Sequence, residues 1–193
     1  MSDLSGKTIG KFRVIEEIGR GGMGTVYSGE HIYIRKKVAI KVLPEILAKD
    51  EERLARFERE ARVLASLNHP NIAAIYESGH TDDGHDFFAM ELVRGKTLDD
   101  YLADRPRTVT PDELEHRLAL FRKICDAVQY AHQRGVIHRD LKPSNIVIAD
   151  EAVSGTASDA LPLPVVKILD FGLARLTDAD VAATSVLTEV GII

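Results

Sequence analysis

His138-Arg139-Asp140-Leu141-Lys142-Pro143-Ser144-Asn145 is the stretch that decides the fold. It lies between two short β-prone apolar runs, Val136-Ile137 and Ile146 to Ile148. A solvent-facing loop can hold His, Arg and Asp together by chance. Far fewer loops also set an asparagine five residues after the aspartate, giving a carboxylate and an amide in one turn. Working outward, Asp170-Phe171-Gly172 comes after the apolar run Val165 to Leu169, so a second carboxylate sits at a strand end, beside a glycine that frees the backbone to turn. That tripeptide says little alone, and its weight comes from standing downstream of the first motif.

Upstream, Gly19, Gly21 and Gly24, with Gly22 between them, make G-x-G-x-x-G ahead of Val26. Missing side chains there would let a backbone approach phosphates closely, yet the same pattern opens the helix of a dinucleotide-binding fold. The next residues, Val26-Tyr27-Ser28, are strand-like and no helix begins there, which argues against the dinucleotide reading. Val38-Ala39-Ile40-Lys41 then puts a lysine in an apolar strand. An edge-strand lysine facing water is the plainer reading. A buried ammonium would need a counter-charge, and Glu60 is the candidate, on the same helix face as Phe57 and Leu64.

The remaining pattern is α+β. Strands are expected at Phe12–Ile18, Thr25–Gly29, Lys37–Leu43, Ile72–Glu77 and Asp86–Leu92, with one helix near Asp50–Leu67 burying Leu54, Phe57, Ala61 and Leu64. Asn68-His69-Pro70 closes that helix, and Arg94-Gly95-Lys96 reads as a connector. A short helix is expected over Leu98–Ala103. A long one runs from Pro111 to about Arg134, with Thr110 as N-cap, Glu113 completing a capping box, and Leu114, Leu118, Phe121, Cys125 and Val128 buried. Gly135 ends it. The Gly/Ser/Ala/Pro-rich stretch from Asp150 to Pro164 is read as a mobile insertion, and Thr177 to Ile193 as poorly ordered by itself.

Composition narrows the class without choosing a function. The 193 residues, 45% hydrophobic and 28% charged, suit a globular chain of one domain or two small lobes. A net charge of -5 argues against a nucleic-acid partner, which favours a basic excess. The single cysteine, Cys125, allows no internal disulfide. With no secretory signal and no run of about 18 apolar residues, a cytoplasmic setting is expected, or the cytoplasmic face of a membrane if a span follows residue 193.

Taken in order, G-x-G-x-x-G-x-V, V-A-I-K, H-R-D-L-x-x-x-N and D-F-G resemble the eukaryotic-like serine/threonine protein kinases, and IGRGGMGTVY resembles their bacterial branch. The resemblance implies a two-lobe fold: an N-lobe over residues 11–93, with a five-stranded antiparallel sheet and one helix, and a mostly helical, incomplete C-lobe over residues 94–193. It implies ATP and Mg²⁺ as cofactors and protein Ser/Thr hydroxyls as substrates. By it, Lys41 contacts the α- and β-phosphates and pairs with Glu60. Asp140 is the catalytic base, Lys142 reaches the γ-phosphate, and Asn145 with Asp170 binds Mg²⁺. The glycines Gly19, Gly21, Gly22 and Gly24 cover the phosphates. Ile18, Val26, Ala39 and Val147 sandwich the adenine, Met90 resembles the gatekeeper, and Glu91 and Val93 present hinge backbone.

Arg139 before the aspartate resembles kinases that need a phosphate on the activation segment, which makes Thr184, Ser185 and Thr188 candidate autophosphorylation sites, possible in trans within a homodimer. The chain departs from the family pattern at Val190-Gly191-Ile192-Ile193, where the activation segment breaks off before its A-P-E-like close. The expectation is a domain truncated there, its long helix short of packing partners, and weak or inactive alone. The alternatives are a non-catalytic, pseudokinase-like scaffold and a fragment that does not fold.

Overall fold

A computed structural model describes residues 4–21, 24–43, 51–81, 84–106, 108–149 and 164–171. The chain divides into two compact units. The first contains the described residues up to Leu67 together with Ala74–Leu92, and the second contains Asn68–Ala73 and Val93–Phe171.

The first unit is an antiparallel sheet with a helix. Its strands are β1 (Thr8–Ile9), β2 (Phe12–Gly21), β3 (Gly24–His31), β4 (Lys37–Val42), β5 (Ile75–His80) and β6 (Asp86–Glu91), in the order β1-β2-β3-β4-β6-β5. Among the described residues six strands stand where five were expected. The addition, β1, folds back through Gly10-Lys11 so that Ile9 faces Phe12, and the positive φ of Gly10, 53°, suits a tight hairpin. β2 also runs three residues further than expected, into the glycine cluster.

Alternation separates the sheet's two faces. Tyr27, Ile40 and Ala89 lie opposite one another across β3, β4 and β6, and with Val38, Val42 and Phe87 they form one apolar face. Leu4, Ile9, Phe12 and Val14 complete that core. The other face carries Val26, Lys41 and Phe88 in register, beside Ala39 and Met90. Helix α1 (Glu51–Ala65) packs on this second face, with the ring of Phe57 5.2 Å from that of Phe88. Phe57, Ala61 and Leu64 are buried as the helical spacing predicted; the side chain of Leu54 lies outside the described residues.

The second unit contains β7 (Gly95–Thr97), α2 (Leu98–Ala103), α3 (Pro111–His132), a 3-10 turn at Pro143–Asn145, β8 (Ile146–Ala149) and β9 (Val165–Ile168). Its sheet has the order β7-β8-β9. The supposed connector around Gly95 is therefore a strand. It pairs with β8, whereas Val136-Ile137, a short strand candidate from the sequence, forms no strand. Ile72 lies outside β5 and instead makes a parallel bridge to Ile168. No helix among the described residues is long and apolar enough to cross a membrane.

Helix α3 corrects the sequence reading of its buried face. Thr110 caps it, its hydroxyl accepting from the Glu113 N–H at 3.2 Å. The Glu113 carboxylate turns to Arg105 and Arg117, at 2.6 and 2.7 Å, instead of closing a capping box. Those two guanidiniums hold its pKa down to about 2. The buried side chains are Glu113, Leu120, Ile124, Ala127 and Ala131. Leu114, Leu118 and Phe121 are 50%, 57% and 63% exposed, Cys125 is exposed and Val128 is half-buried. The helix has two apolar stripes about 100° apart, and periodicity alone cannot rank them. The small Ala127 and Ala131 permit the closer approach, so their stripe faces the core.

Candidate functional site

The candidate residues form two groups, one in each unit. In the first, β2 ends in the glycine turn. A bulge between Glu17 and Gly19 sets Gly19 opposite Val26 and leaves Ile18 as the extra residue, 48% exposed. A Cβ at Gly19 or Gly21 would meet no atom of the described residues within 4 Å, so among them these glycines leave open space. Gly24 is different. Its φ is +115°, and a Cβ there would lie 2.1 Å from the carbonyl oxygen of Val42, so only glycine lets β3 start this close to β4. Gly22 lies outside the described residues.

Lys41 stands opposite Val26 on one side and Phe88 on the other, and only 4% of it is exposed. This overturns the edge-strand alternative, because β4 is paired on both sides. Glu60 is 9% exposed, one turn beyond Phe57 on the face of α1 that meets Phe88. Helix and strand thus bury opposite charges on facing surfaces, and neither residue lacks an interaction partner. Ala39 and Met90 are buried directly opposite each other beside Lys41, and Val26 is half-buried. The N–H of Glu91 donates to the Ala74 carbonyl at 2.8 Å.

In the second unit the loop after α3 gathers Asp140, Lys142 and Asn145. The Lys142 ammonium lies 2.8 Å from an Asp140 carboxylate oxygen, and the Asn145 amide donates to the same carboxylate at 3.2 Å and to the Asp140 carbonyl at 2.8 Å. Lys142, with help from Asn145, holds the Asp140 carboxyl below the usual carboxylate range. Asp140 is therefore ionised at neutral pH. Val147, on β8, is buried, and Val93 is half-buried.

Asp170 is positioned by the residue before it. The Leu169 N–H donates to the Asn145 carbonyl at 2.8 Å, and the Leu169 carbonyl accepts from His138 Nε2 at 2.8 Å. The His138 ring, 3% exposed, also packs against Phe171 at 4.7 Å. Burial pushes the His138 pKa below its ordinary value, so the ring is neutral, with its proton on Nε2. Its buried Nδ1 has no hydrogen-bond partner among the described residues.

Two features escaped the sequence. Arg139 and Asp170 have φ of 65° and 57°, a left-handed backbone that costs energy outside glycine and is held by the surrounding hydrogen bonds. Asn71, read only as part of a helix stop, secures β9: its Nδ2 donates to the Val166 carbonyl at 2.8 Å, and its own carbonyl accepts from the Ile168 N–H at 2.9 Å. The Asn-His-Pro-Asn stretch was the available signal. Gly172, Thr184, Ser185 and Thr188 lie outside the described residues.

Each group has its own chemistry. The open glycine turn has the space a phosphate chain would need, and the donors of Asn145 and Asp170 are hard oxygens of the kind Mg²⁺ prefers. Among the described residues no cluster of three or more His, Cys, Asp or Glu could hold a metal by itself.

Comparison with known proteins gives a consistent picture. The sequence pattern described as the protein kinase domain matches residues 12–190. The chain is 39% identical over 181 residues to serine/threonine-protein kinase Pkn1 of Myxococcus xanthus, covering 94% of this chain and 24% of that protein. It is 38% identical over 172 residues to serine/threonine-protein kinase PrkC of Bacillus subtilis, covering 89% of this chain and 24% of that one. Among solved structures, the PknI kinase domain of Mycobacterium tuberculosis superposes with a TM-score of 0.69 at 33% identity, over 89% of this chain and 64% of its own. The chain thus spans about a quarter of the length of these curated relatives.

Proposed function

The chain belongs to the protein kinase domain family, and from that premise we propose that it transfers the γ-phosphoryl group of ATP to serine and threonine hydroxyls of protein substrates. Phosphoryl transfer needs little covalent chemistry from the protein and much positioning and charge neutralisation. In this reading the open turn at Gly19 and Gly21 admits the phosphates, and the buried Lys41 ammonium, oriented by Glu60, meets their charge. Ile18, Val26, Ala39 and Met90 are the first unit's candidate adenine contacts, and Val147 is the second unit's candidate. With the Glu91 N–H given to Ala74, an adenine amino group would address the Glu91 carbonyl, while Val93 supplies further backbone.

Asn145 and Asp170 are the residues to hold Mg²⁺, which when bound neutralises negative charge on the phosphate oxygens. Asp140 accepts a hydrogen bond from the incoming hydroxyl and takes its proton late, because a carboxyl held below its ordinary pKa is a weak base in the ground state. Lys142, already at that carboxylate, neutralises charge beside the transferred group.

The observation carrying this reading is the Asp140 carboxylate fixed between the Lys142 ammonium and the Asn145 amide. The presence of Lys41, Asp140 and Asp170 together also weighs against a pseudokinase-like scaffold. The test is transfer of labelled phosphate from ATP to a Ser/Thr-containing protein, with Mg-ATP binding followed by thermal shift. Asp140→Asn should lower turnover about a thousandfold and leave the shift intact. Equal turnover in wild type and variant, or no Mg-ATP shift in either, would overturn the proposal.

A further inference from the structure

We propose that the turn joining β3 and β4 is a docking surface for an anionic lipid bilayer, with Tyr33 and Ile34 entering the interfacial layer and the surrounding lysines and arginines meeting lipid phosphates. The proposal concerns the first unit alone and is independent of the phosphotransfer reading.

At the tip of this hairpin Tyr33 is 76% exposed and Ile34 67%, the two highest values among the exposed large hydrophobic residues described. A turn of this length would ordinarily carry Asn, Asp or Gly. Here the polar group turns inward: His31 Nδ1 accepts from the N–H groups of Tyr33 and Ile34, at 3.3 and 3.5 Å. The His31 ring is seated edge-on against Phe12 at 5.2 Å. Two backbone bonds close the base, His31 N–H to the Lys36 carbonyl and Arg35 N–H to the His31 carbonyl, each 2.9 Å. The apolar pair is thus held outward by a built turn, and little ordering entropy remains to be lost on docking.

Charge supplies the complement. Arg35, Lys36 and Lys37 come directly after the tip, and the Ile32 N–H donates to the Lys11 carbonyl, which brings Lys11 and its neighbour Arg13 alongside. Four of these five cations share two carboxylates: Glu30 meets Arg13, Arg35 and Lys37, and Glu77 meets Lys11. Lys36 lies 3.6 Å over the Tyr76 ring. The local excess is positive in a chain whose net charge is -5. An acidic polypeptide would satisfy the cations alone. A bilayer surface takes both features, since tyrosine sits well at the headgroup level and basic residues are drawn to anionic lipids.

The experiment is flotation of the whole chain with phosphatidylcholine vesicles, pure or containing phosphatidylserine at about one part in four. Wild type should float with the anionic vesicles only. Tyr33→Ser with Ile34→Ser, and separately Lys36→Glu, should each reduce the bound fraction at least about tenfold while leaving the melting transition in place. If Lys36→Glu disturbs folding, Lys11→Glu repeats the charge test away from the tip. Absence of wild-type flotation, equal binding to neutral vesicles, or undiminished binding by the folded variants would overturn the proposal. So would retention on immobilised polyglutamate without flotation, which would assign the surface to an acidic polypeptide.

Discussion

His138 donates from Nε2 to the carbonyl of Leu169 at 2.8 Å, and this one bond ties the loop carrying Asp140 to the residue preceding Asp170. It requires a proton on Nε2, and burial disfavours a second proton on the ring, which holds the pKa below its ordinary value. The pKa is lowered on folding, so below the unfolded histidine value the unfolded chain binds more protons and stability falls with pH. Unfolding free energy measured from about pH 7.5 to about 5.5 should decline, and His138→Phe should flatten that decline at a cost of about 1 kcal/mol for the lost bond. An unchanged pH slope in the variant would show that another group governs it.

Lys142 is the largest cause of the depressed Asp140 pKa. Lys142→Ala should therefore move the acid limb of the kcat/KM profile to higher pH and lower kcat by about a hundredfold. The measurement is a pH–rate profile of both proteins; an acid limb that stays in place would dissociate Lys142 from the titrating group.

The two glycines of the β2–β3 turn should separate fold from function. Gly24→Ala forces a Cβ onto the Val42 carbonyl and should cost about 3 kcal/mol or more in denaturant unfolding. Gly19→Ala meets no atom of the described residues, so the midpoint should hold while Mg-ATP affinity falls about tenfold, roughly 1.4 kcal/mol. Comparable destabilisation by both would contradict the open space seen at Gly19.

Tyr27 is fully buried, and among the described residues its hydroxyl finds no hydrogen-bond partner. Leaving such a group dry costs free energy, so Tyr27→Phe should be neutral or stabilising by about 1 kcal/mol. A loss of more than about 1 kcal/mol in urea titration would reveal a bound water or another partner at that oxygen.

On α3 the two stripes should respond oppositely. Leu120→Ala, on the buried stripe, should cost about 2–5 kcal/mol, whereas Phe121→Ser, on the exposed one, should stay within about 0.5 kcal/mol. A reversal of that order in thermal or denaturant melts would restore the face that the sequence suggested.

These sites mark where sequence reading succeeds and where it stops. The helix face carrying Phe57, Glu60 and Leu64 was legible, because a single apolar stripe fixes the buried side. On α3 two stripes compete, and the choice falls to the neighbours that a helix meets, which its own sequence does not contain. β7 was missed because three residues around a glycine have no period, and its pairing with β8 is long-range. The motif letters were enough to put Asp140 and Asn145 in one turn, where the amide donates to the carboxylate and to its carbonyl. The left-handed backbone at Arg139 and Asp170 was hidden, because nothing in either residue type favours it over ordinary conformations.

The outward stripe of α3 also bears on how this chain reaches its native state. Folding is first order in protein, whereas sticking of one bare Leu118/Phe121 surface to another is second order. Recovery from denaturant should therefore drop as the refolding mixture is made more concentrated, and dilution should restore it without any change in the final structure.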